Sequence, residues 1–242
     1  MGIGSCLSKT DPRWTPARSS GDARAVLFDV DGVLLDSMPT YRRVWCQWAA
    51  LRHLDPSSVW ALTPGRRPAD TIMAVAPHLD TEEECRRLTV LLDAELDELT
   101  AMPGAHTLLE SVPQDRWALV TSNTEAVVRA CFIRLGLPAP PFVVDGDSVA
   151  QGKPHPEGFL TAASALGISP KRCLVVEDAP SGVAAGRAAG MTVYGINSQG
   201  PAEQLEAAHR LFPSLAAATP AVVLWTLGGD ALRDLADAIE DD

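Results

Sequence analysis

The sequence is poor in positive charge. Its 242 residues carry 20 lysines and arginines against 31 aspartates and glutamates, which gives a formal net charge of −11 at pH 7. Nucleic acids and anionic membrane surfaces attract basic proteins, so this balance argues against both as partners. Lysine is especially rare, and only Lys9, Lys153 and Lys171 occur. An anionic ligand would therefore need a local site made from a metal, a few cations and backbone N–H groups.

Paired cysteines and long apolar runs are also missing. The five cysteines are odd in number and irregularly spaced, which argues against a disulfide framework or a zinc site and favours a cytoplasmic location. Prolines and glycines interrupt the longest uncharged run, residues 211–229, so we predict a loop, a strand at 221–225 and a turn there, not a membrane span. No signal-peptide pattern is present, and residues 1–22 are predicted to form a disordered leader.

Short apolar runs rich in β-branched residues recur along the chain. They are apolar at successive positions, which predicts burial on both faces, as in a parallel sheet. The runs are residues 25–28, 117–120, 142–144, 173–176, 192–196 and 221–225. Helical stretches between them include residues 124–135, 156–166 and 181–189. This alternation predicts the α/β class, with a doubly wound, Rossmann-like parallel sheet.

Residues 38–102 interrupt the alternation because they contain no strand-like run. Helical apolar spacing occurs instead, at residues 41–51, 68–76 and 81–101. We expect the acidic side chains of the last stretch to form a solvated face. A helical insert after the first strand predicts a second small domain on two hinge connectors. The expected organisation is an α/β core of residues 23–37 and 103–242 with a helical cap of residues 38–102.

Polar residues follow the predicted strands where each strand ends. In a parallel α/β sheet these ends share one edge, and ligands bind there. The residues at this edge are Asp29, Asp31 and Gly32 after the first strand, Thr121, Ser122 and Asn123 after the second, Lys153 after the third, and Glu177 and Asp178 after the fourth. We therefore predict that they converge on one site.

The residue types at this edge suit phosphoryl transfer. Several carboxylates in one cleft repel one another unless a cation joins them, and oxygen ligands with room for water and phosphate suit Mg²⁺. Thr121, backbone N–H groups and Lys153 would then contact a phosphoryl oxygen. Asp29 and Asp31 are two positions apart on an extended chain, so they have different roles. One carboxylate can attack phosphorus to form an aspartyl-phosphate, while the other protonates the leaving oxygen and later deprotonates water.

Four ordered motifs resemble those of the haloacid dehalogenase superfamily. The segment Phe28–Ser37, FDVDGVLLDS, resembles motif I, and Thr121-Ser122 resembles motif II. Lys153 in GKPHPE resembles motif III, and the string EDAPSG that begins at Glu177 resembles motif IV. Order and spacing also match, so the resemblance covers about residues 24–200.

The resemblance implies a role for each motif residue. Asp29 would be the nucleophile, and Asp31 would be the acid/base. Thr121 and Lys153 would hold the phosphoryl group and neutralise the charge of the nucleophile. The implied metal ligands are Asp29, the backbone carbonyl of Asp31, and Asp178, with Glu177 as a ligand, a residue that orients a ligand, or a structural partner. The helical insert resembles a C1-type cap that closes over such a site.

By the same resemblance, the residues favour one chemistry within the superfamily. Dehalogenases lack the second aspartate and phosphonatases generally replace it, so Asp31 favours phosphatases and phosphomutases. The strings GKPHPE and EDAPSG are most similar to the sugar- and polyol-phosphate phosphatase branch. The expected function is therefore Mg²⁺-dependent hydrolysis of a small phosphomonoester. A β-phosphoglucomutase-like phosphomutase and an inactive sugar-phosphate binding protein stay open as alternatives.

The substrate contacts are expected to come from both domains. Residues 64–68, PGRRP, are similar to the cap specificity loop of that branch, and Arg66 or Arg67 could bind hydroxyls or a second anionic group. The predicted set is completed by Gly32, Ser122 and Asn123, although a turn role explains Asn123 equally well. We expect a monomer whose partner is the small phosphomonoester.

Overall fold

A computed structural model of the protein describes residues 23–198 and 202–240. The predicted leader, residues 1–22, lies outside the described residues. The strands are β1 (Ala25–Phe28), β2 (Leu35–Asp36), β3 (Thr100–Ala101), β4 (Trp117–Val120), β5 (Val143–Val144), β6 (Cys173–Glu177), β7 (Thr192–Ile196) and β8 (Arg210–Phe212). Six of them form one sheet in the order β5–β4–β1–β6–β7–β8, and every adjacent pair is parallel. The predicted parallel sheet is confirmed.

The helices alternate with these strands in the core and follow one another in the insert. They are α1 (Met38–Leu51), α2 (Pro56–Trp60), α3 (Pro68–Val75), α4 (Thr81–Asp93), α5 (Ala105–Ser111), α6 (Glu125–Arg134), α7 (Glu157–Leu166), α8 (Pro180–Ala188) and α9 (Leu215–Glu240). Of the described helices, none combines the length and the hydropathy that crossing a bilayer requires.

The sheet is covered on both faces, which explains its uninterrupted apolar strands. Along β1, Val26 and Phe28 belong to the apolar cluster that includes residues of α5, α6 and α9. Ala25 and Leu27 belong to the opposite cluster, which includes residues of α7 and α8. Successive side chains of a strand point to opposite faces, so each residue of β1 is buried by one of the two layers. This is the doubly wound arrangement that the sequence predicts.

The insert has an apolar cluster of its own, formed by residues of α1, α2, α3 and α4. Glu84 is buried beside this cluster and does not lie on a solvated face. Its carboxylate accepts hydrogen bonds from Trp48 Nε1 at 2.8 Å and from the Arg52 guanidinium at 2.8 and 2.9 Å. Burial of a carboxylate requires such partners. The expectation that every acidic side chain of α4 is solvated is therefore wrong for Glu84.

Three sequence predictions of secondary structure differ from the structure. Residues 221–225 are part of α9 and not a strand, because Leu215, Ala218 and Val222 are buried at helical spacing against the sheet. The sixth strand is instead β8, which the apolar pattern of the sequence does not predict. The third predicted helix ends at Asp93 and not at residue 101, and β3 then pairs antiparallel with β2.

Candidate active site

The carboxyl end of β1 delivers Asp29 and Asp31 to the sheet edge. The Asp29 N–H continues the pairing with β6 by donating to the Val176 carbonyl at 3.0 Å. Gly32 then turns the chain with a φ of +81°. A Cβ at Gly32 would lie 1.9 Å from Asp178 Oδ2, so only glycine leaves room for that carboxylate. The turn therefore brings the ends of β1 and β6 into contact.

A buried lysine links the carboxylates at this edge. Lys153 Nζ donates to the Asp29 carboxylate, to Glu177 Oε1 at 2.7 Å and to the Val120 carbonyl at 3.1 Å. Its side chain is 5% exposed. Buried lysines are rare unless paired, so this ammonium group has an electrostatic role at the site.

The site carries more negative charge than Lys153 compensates. Carboxylate oxygens of Asp29, Glu177 and Asp178 lie within 4.8 Å of one another. Burial raises the pKa of Asp29 to about 8 against the opposing effect of Lys153, and burial likewise raises the pKa of Asp178. These groups ionise more readily when another cation is present. The donor set consists of oxygen atoms and fits a hard divalent ion.

Glu177 has a different environment from the other two acidic residues. Oε1 accepts from Lys153, and Oε2 accepts from the backbone N–H groups of Asp178 and Ala179 at 2.8 Å each. A Cβ at Gly182 would lie 1.6 Å from Glu177 Oε1. Helix α8 can therefore pack against the Glu177 carboxylate only because residue 182 is a glycine. Both oxygens are thus engaged by protein donors, and the geometry favours a role in holding Lys153.

Asp31 is held separately from the acidic cluster. Its carboxylate accepts from Ser37 Oγ at 2.7 Å and from Asn123 Nδ2 at 3.2 Å. Tyr41, on helix α1 of the insert, bonds to the same Asn123 amide. Burial raises the pKa of Asp31, and these hydrogen bonds oppose the rise. The two aspartates that follow β1 therefore occupy different surroundings, as their spacing predicts.

The residues after β4 form hydrogen bonds with Asp31, with the insert and with one another. Thr121 is buried, and its Oγ1 accepts from the Asn123 N–H at 3.0 Å. Ser122 Oγ donates to the Gly65 carbonyl of the insert at 2.9 Å. Asp145 fixes the start of α6 by accepting from the Glu125 N–H at 2.9 Å. Of the three predicted residues that follow β4, Asn123 thus contacts Asp31, Thr121 contacts the Asn123 backbone, and Ser122 bonds to the insert.

The family of the chain follows from its match to a family model. The model for haloacid dehalogenase-like hydrolases matches residues 23–190, which include all of the sheet-edge residues described above. The chain belongs to this family. The hydrolase is 38% identical over 197 residues to hexitol phosphatase A of Escherichia coli K12, covering 79% of this chain and 91% of that protein.

Two further relatives extend the comparison. Glycerol-1-phosphate phosphohydrolase 2 of Saccharomyces cerevisiae is 34% identical over 184 residues, which are 71% of the hydrolase and 74% of the yeast protein. The crystal structure of β-phosphoglucomutase from Clostridium difficile has a TM-score of 0.70 at 22% identity and covers 80% of this chain and 92% of its own. That likeness shows a shared fold.

A cavity of about 190 Å³ opens at the sheet edge of the hydrolase. Its core wall includes Asp29, Asp31, Ser122, Asn123 and Asp178. The insert contributes the facing wall, where apolar and aromatic side chains surround one arginine: Met38, Tyr41, Trp45, Trp60 and Arg66. Lys153 and Thr121 lie behind the core wall, where Lys153 bonds to Asp29. Lys153 and Thr121 are thus not among the lining residues, and Lys153 adjoins the cavity through the Asp29 carboxylate.

The two arginines of the insert loop have different positions. Arg66 lines the cavity, and its guanidinium has no hydrogen-bond partner among the residues that the structure describes. Arg67 does not line this cavity, because its guanidinium is engaged by Asp70 and by backbone carbonyls of the core. The structure thus places Arg66 at the cavity and Arg67 against Asp70 and the core, and the expected substrate contact of each arginine stays a prediction.

Sequence reasoning missed three residues that complete the site. Ser37 and Tyr41 contact Asp31 or its partner Asn123, and Ser198 Oγ donates to Asp178 Oδ2 at 3.0 Å. Ser37 is the last residue of the first motif, and this position could have indicated a place at the site. Tyr41 and Ser198 belong to segments without a motif. Only the packing of the insert brings Tyr41 to the cavity, and only the end of β7 brings Ser198 to Asp178.

Proposed function

We propose that this hydrolase is a Mg²⁺-dependent phosphatase that hydrolyses a small sugar or polyol phosphate through an aspartyl-phosphate on Asp29. One observation carries the proposal. The Asp29 carboxylate is bonded to the buried Lys153, lies beside Asp178 and opens into a cavity that Asp31 also lines. The nucleophile, a metal-binding oxygen and the acid/base thus line one cavity, and the charge-neutralising cation is bonded to the nucleophile directly behind it.

In the first chemical step, an Asp29 oxygen attacks phosphorus and the bond from phosphorus to the leaving oxygen breaks. Asp31 gives its proton to that oxygen, and the alcohol departs. The burial that raises the pKa of Asp31 favours the protonated form that this step requires. Ser37 and Asn123 hold the carboxyl group in place while it donates.

In the second step, water attacks the phosphorus of the aspartyl-phosphate and gives a proton to Asp31. The bond between Asp29 and phosphorus breaks, which restores both carboxyl groups and releases inorganic phosphate. Thr121 and Lys153 stabilise the phosphoryl oxygens in both steps. Closure of the insert over the cavity would exclude other water from the site.

The acidic cluster would hold the metal ion. We assign the carboxylates of Asp29 and Asp178 and the backbone carbonyl of Asp31 as its protein ligands, with Glu177 holding Lys153 beside them. Bound Mg²⁺ supplies positive charge to the phosphoryl oxygens. The excess of carboxylates over lysine, together with the raised pKa values of Asp29 and Asp178, supports this assignment.

The substrate class rests on the relatives and on the insert wall. Hexitol phosphatase A and glycerol-1-phosphate phosphohydrolase 2 are named for small polyol phosphates. We propose that residues 38–102 act as the cap, that Arg66 contacts the leaving group, and that the Gly32 backbone, Ser122 and Asn123 complete the pocket. We also propose a cytoplasmic monomer, in keeping with the free thiols of Cys46, Cys85, Cys131 and Cys173.

The test is phosphate release from a panel of hexitol, hexose and glycerol phosphates at saturating Mg²⁺. We expect turnover of at least one ester, loss of activity with EDTA and recovery when Mg²⁺ returns. Product analysis discriminates the alternatives. Net isomerisation without phosphate release would indicate a phosphomutase, and tight ligand binding without any turnover would indicate an inactive binding protein. Either result would overturn the phosphatase assignment.

A further inference from the structure

We propose that Arg67 is a positioning residue that fastens the closed cap to the loop that carries Lys153. This lysine loop, residues 146–152, runs from the end of β5 to the catalytic lysine. The proposal rests on the proposed phosphatase function, because it assigns Arg67 an effect on that reaction without contact to the substrate.

Arg67 lies directly before helix α3 and spans the gap between insert and core. Its Nε and Nη2 atoms donate to the two oxygens of Asp70 at 2.7 and 2.8 Å, so the guanidinium orientation is fixed within the insert. The remaining Nη1 points to the core. It donates to the Val149 carbonyl at 3.1 Å and approaches the Gly146 and Ala150 carbonyls at 3.4 Å each.

The lysine loop has a surface that fits the stem of this arginine. A Cβ at Gly152 would lie 2.8 Å from Arg67 Nε, 3.0 Å from Cδ and 3.1 Å from Cγ. A Cβ at Gly146 would lie 3.3 Å from Cγ. The absence of side chains at both glycines therefore lets the arginine lie directly on the loop backbone.

The N–H groups of the lysine loop are held from the other side by the core. Asp145 accepts from the Ser148 N–H at 2.9 Å, and Glu157 accepts from the Ala150 and Gln151 N–H groups at 2.9 and 3.0 Å. Core carboxylates thus engage the loop donors, while Arg67 of the insert engages loop acceptors. The bonding of this loop is complete only when the insert lies against the core.

This division of partners couples cap position to the catalytic lysine. Gly152, which lies under the arginine stem, is bonded directly to Lys153 in the chain. A cap movement that withdraws Arg67 removes a charged donor from the carbonyls of the lysine loop. The loop then has more freedom to move, and it is the segment that positions Lys153 Nζ. Arg67 would therefore favour the closed arrangement and the catalytic lysine geometry together.

The first experiment compares Arg67→Met with Arg86→Met, a control in which an exposed, ion-paired cap arginine is removed. Arg67→Met keeps an unbranched stem and removes the donors. We expect its kcat/KM on the active ester to fall about tenfold to a hundredfold, since hydrogen bonds of charged groups have about this effect. Arg67→Lys should recover part of the loss, and Arg86→Met should stay within about twofold.

Hydrogen–deuterium exchange gives a readout that does not depend on turnover. In Arg67→Met, the amides of the lysine loop should exchange faster, while amides of β1 and β6 keep their protection. A merely structural role would instead lower the thermal midpoint and leave both kcat per folded enzyme and local exchange unchanged. If the wild type hydrolysed no ester, the proposed function would fail, and exchange would still decide whether Arg67 fastens the loop.

A double-mutant cycle with Gly152→Ala tests the contact itself. The added Cβ collides with the Arg67 stem, so Gly152→Ala should lower kcat/KM in the wild-type background. In the Arg67→Ala background the space is open, and Gly152→Ala should cost little more. Additive losses in this cycle, or an Arg67→Met enzyme no slower than Arg86→Met, would overturn the proposal.

Discussion

On the core wall of the cavity, Asp29 and Asp178 belong to a buried network fixed by Lys153. On the opposite wall, formed by the proposed cap and called the cap wall below, the Arg66 guanidinium faces the same space without a partner among the described residues. The core residues constrain one another because each buried charge needs its neighbours. The facing residues are apolar and aromatic side chains and one arginine whose guanidinium bonds to none of the described residues, so they do not constrain one another through charge. The core wall therefore suits one reaction, and the cap wall can adapt to different leaving groups.

Asp29→Asn should give the largest effect, because it removes the nucleophile from the core wall while keeping the side-chain shape. We expect kcat to fall by about 10⁴-fold or more, as in enzymes that lose a covalent nucleophile. Phosphate release measures the loss, and circular dichroism checks that the fold is retained. Activity within tenfold of the wild type would reject the nucleophile assignment and with it the distinction between the two walls.

Gly65→Ala tests how closely the cap wall must approach the core. A Cβ at Gly65 would lie 2.3 Å from Ser181 Oγ and 2.8 Å from the Ala179 Cβ, and the residue has a φ of +70°. We expect kcat/KM to fall about a hundredfold, because small displacements of a closing domain have such effects.

The matched control for this variant is Gly136→Ala. Gly136 has a similar φ of +65° but no atom within 4 Å of an added Cβ. It carries the same backbone strain without the collision, so it should lose about 1 kcal/mol of stability and keep its activity. Equal activity losses in the two variants would show that strain and not cap approach is responsible.

Arg66→Ala tests the cap wall alone. We expect kcat/KM on the preferred sugar or polyol phosphate to fall about tenfold, mainly through KM, since one lost charged contact has about this effect. The loss should be smaller on p-nitrophenyl phosphate, whose leaving group has no hydroxyls for the arginine to bind. Equal losses on both esters would show that Arg66 acts on the phosphoryl group and belongs functionally with the core wall.

Mg²⁺ should stabilise the protein more at pH 8.5 than at pH 6, with a difference of about a few degrees in the thermal midpoint. Burial raises the pKa of Asp29 to about 8 and also raises that of Asp178, so the folded metal-free protein retains protons that the unfolded chain releases near its ordinary pKa of 3.8. The free energy of unfolding of the metal-free protein therefore falls as pH rises from about 4 to about 8.

Metal binding displaces these protons and strengthens over the same pH range. Asp178→Asn serves as the control and should remove most of the Mg²⁺ effect at both pH values. A midpoint shift that is larger at pH 6 than at pH 8.5 would contradict the assignment of this cluster as the metal site.

The sequence alone predicted the parallel sheet and the set of polar residues at its edge. Strands that are buried on both faces must be apolar throughout, so their ends are marked by the first polar residues, as at Asp29 and Thr121. Sequence reasoning failed at residues 221–225, because a short apolar run fits a buried helix as well as a buried strand. Packing of Leu215 and Val222 against the sheet decided in favour of the helix.

The tertiary structure decided which side chains share the cavity. Arg66 and Arg67 are adjacent and chemically identical, and nothing in the sequence separates them, yet only Arg66 lines the space above Asp29. Asp70 and the carbonyls of residues 146–150 orient Arg67 toward the core loop. A local sequence pattern predicts which residues lie at a strand end, because the backbone of the strand itself places their side chains at the sheet edge. The orientation of an arginine side chain in a loop depends on partners that are distant in the sequence. Only the folded molecule brings the arginine and these partners together.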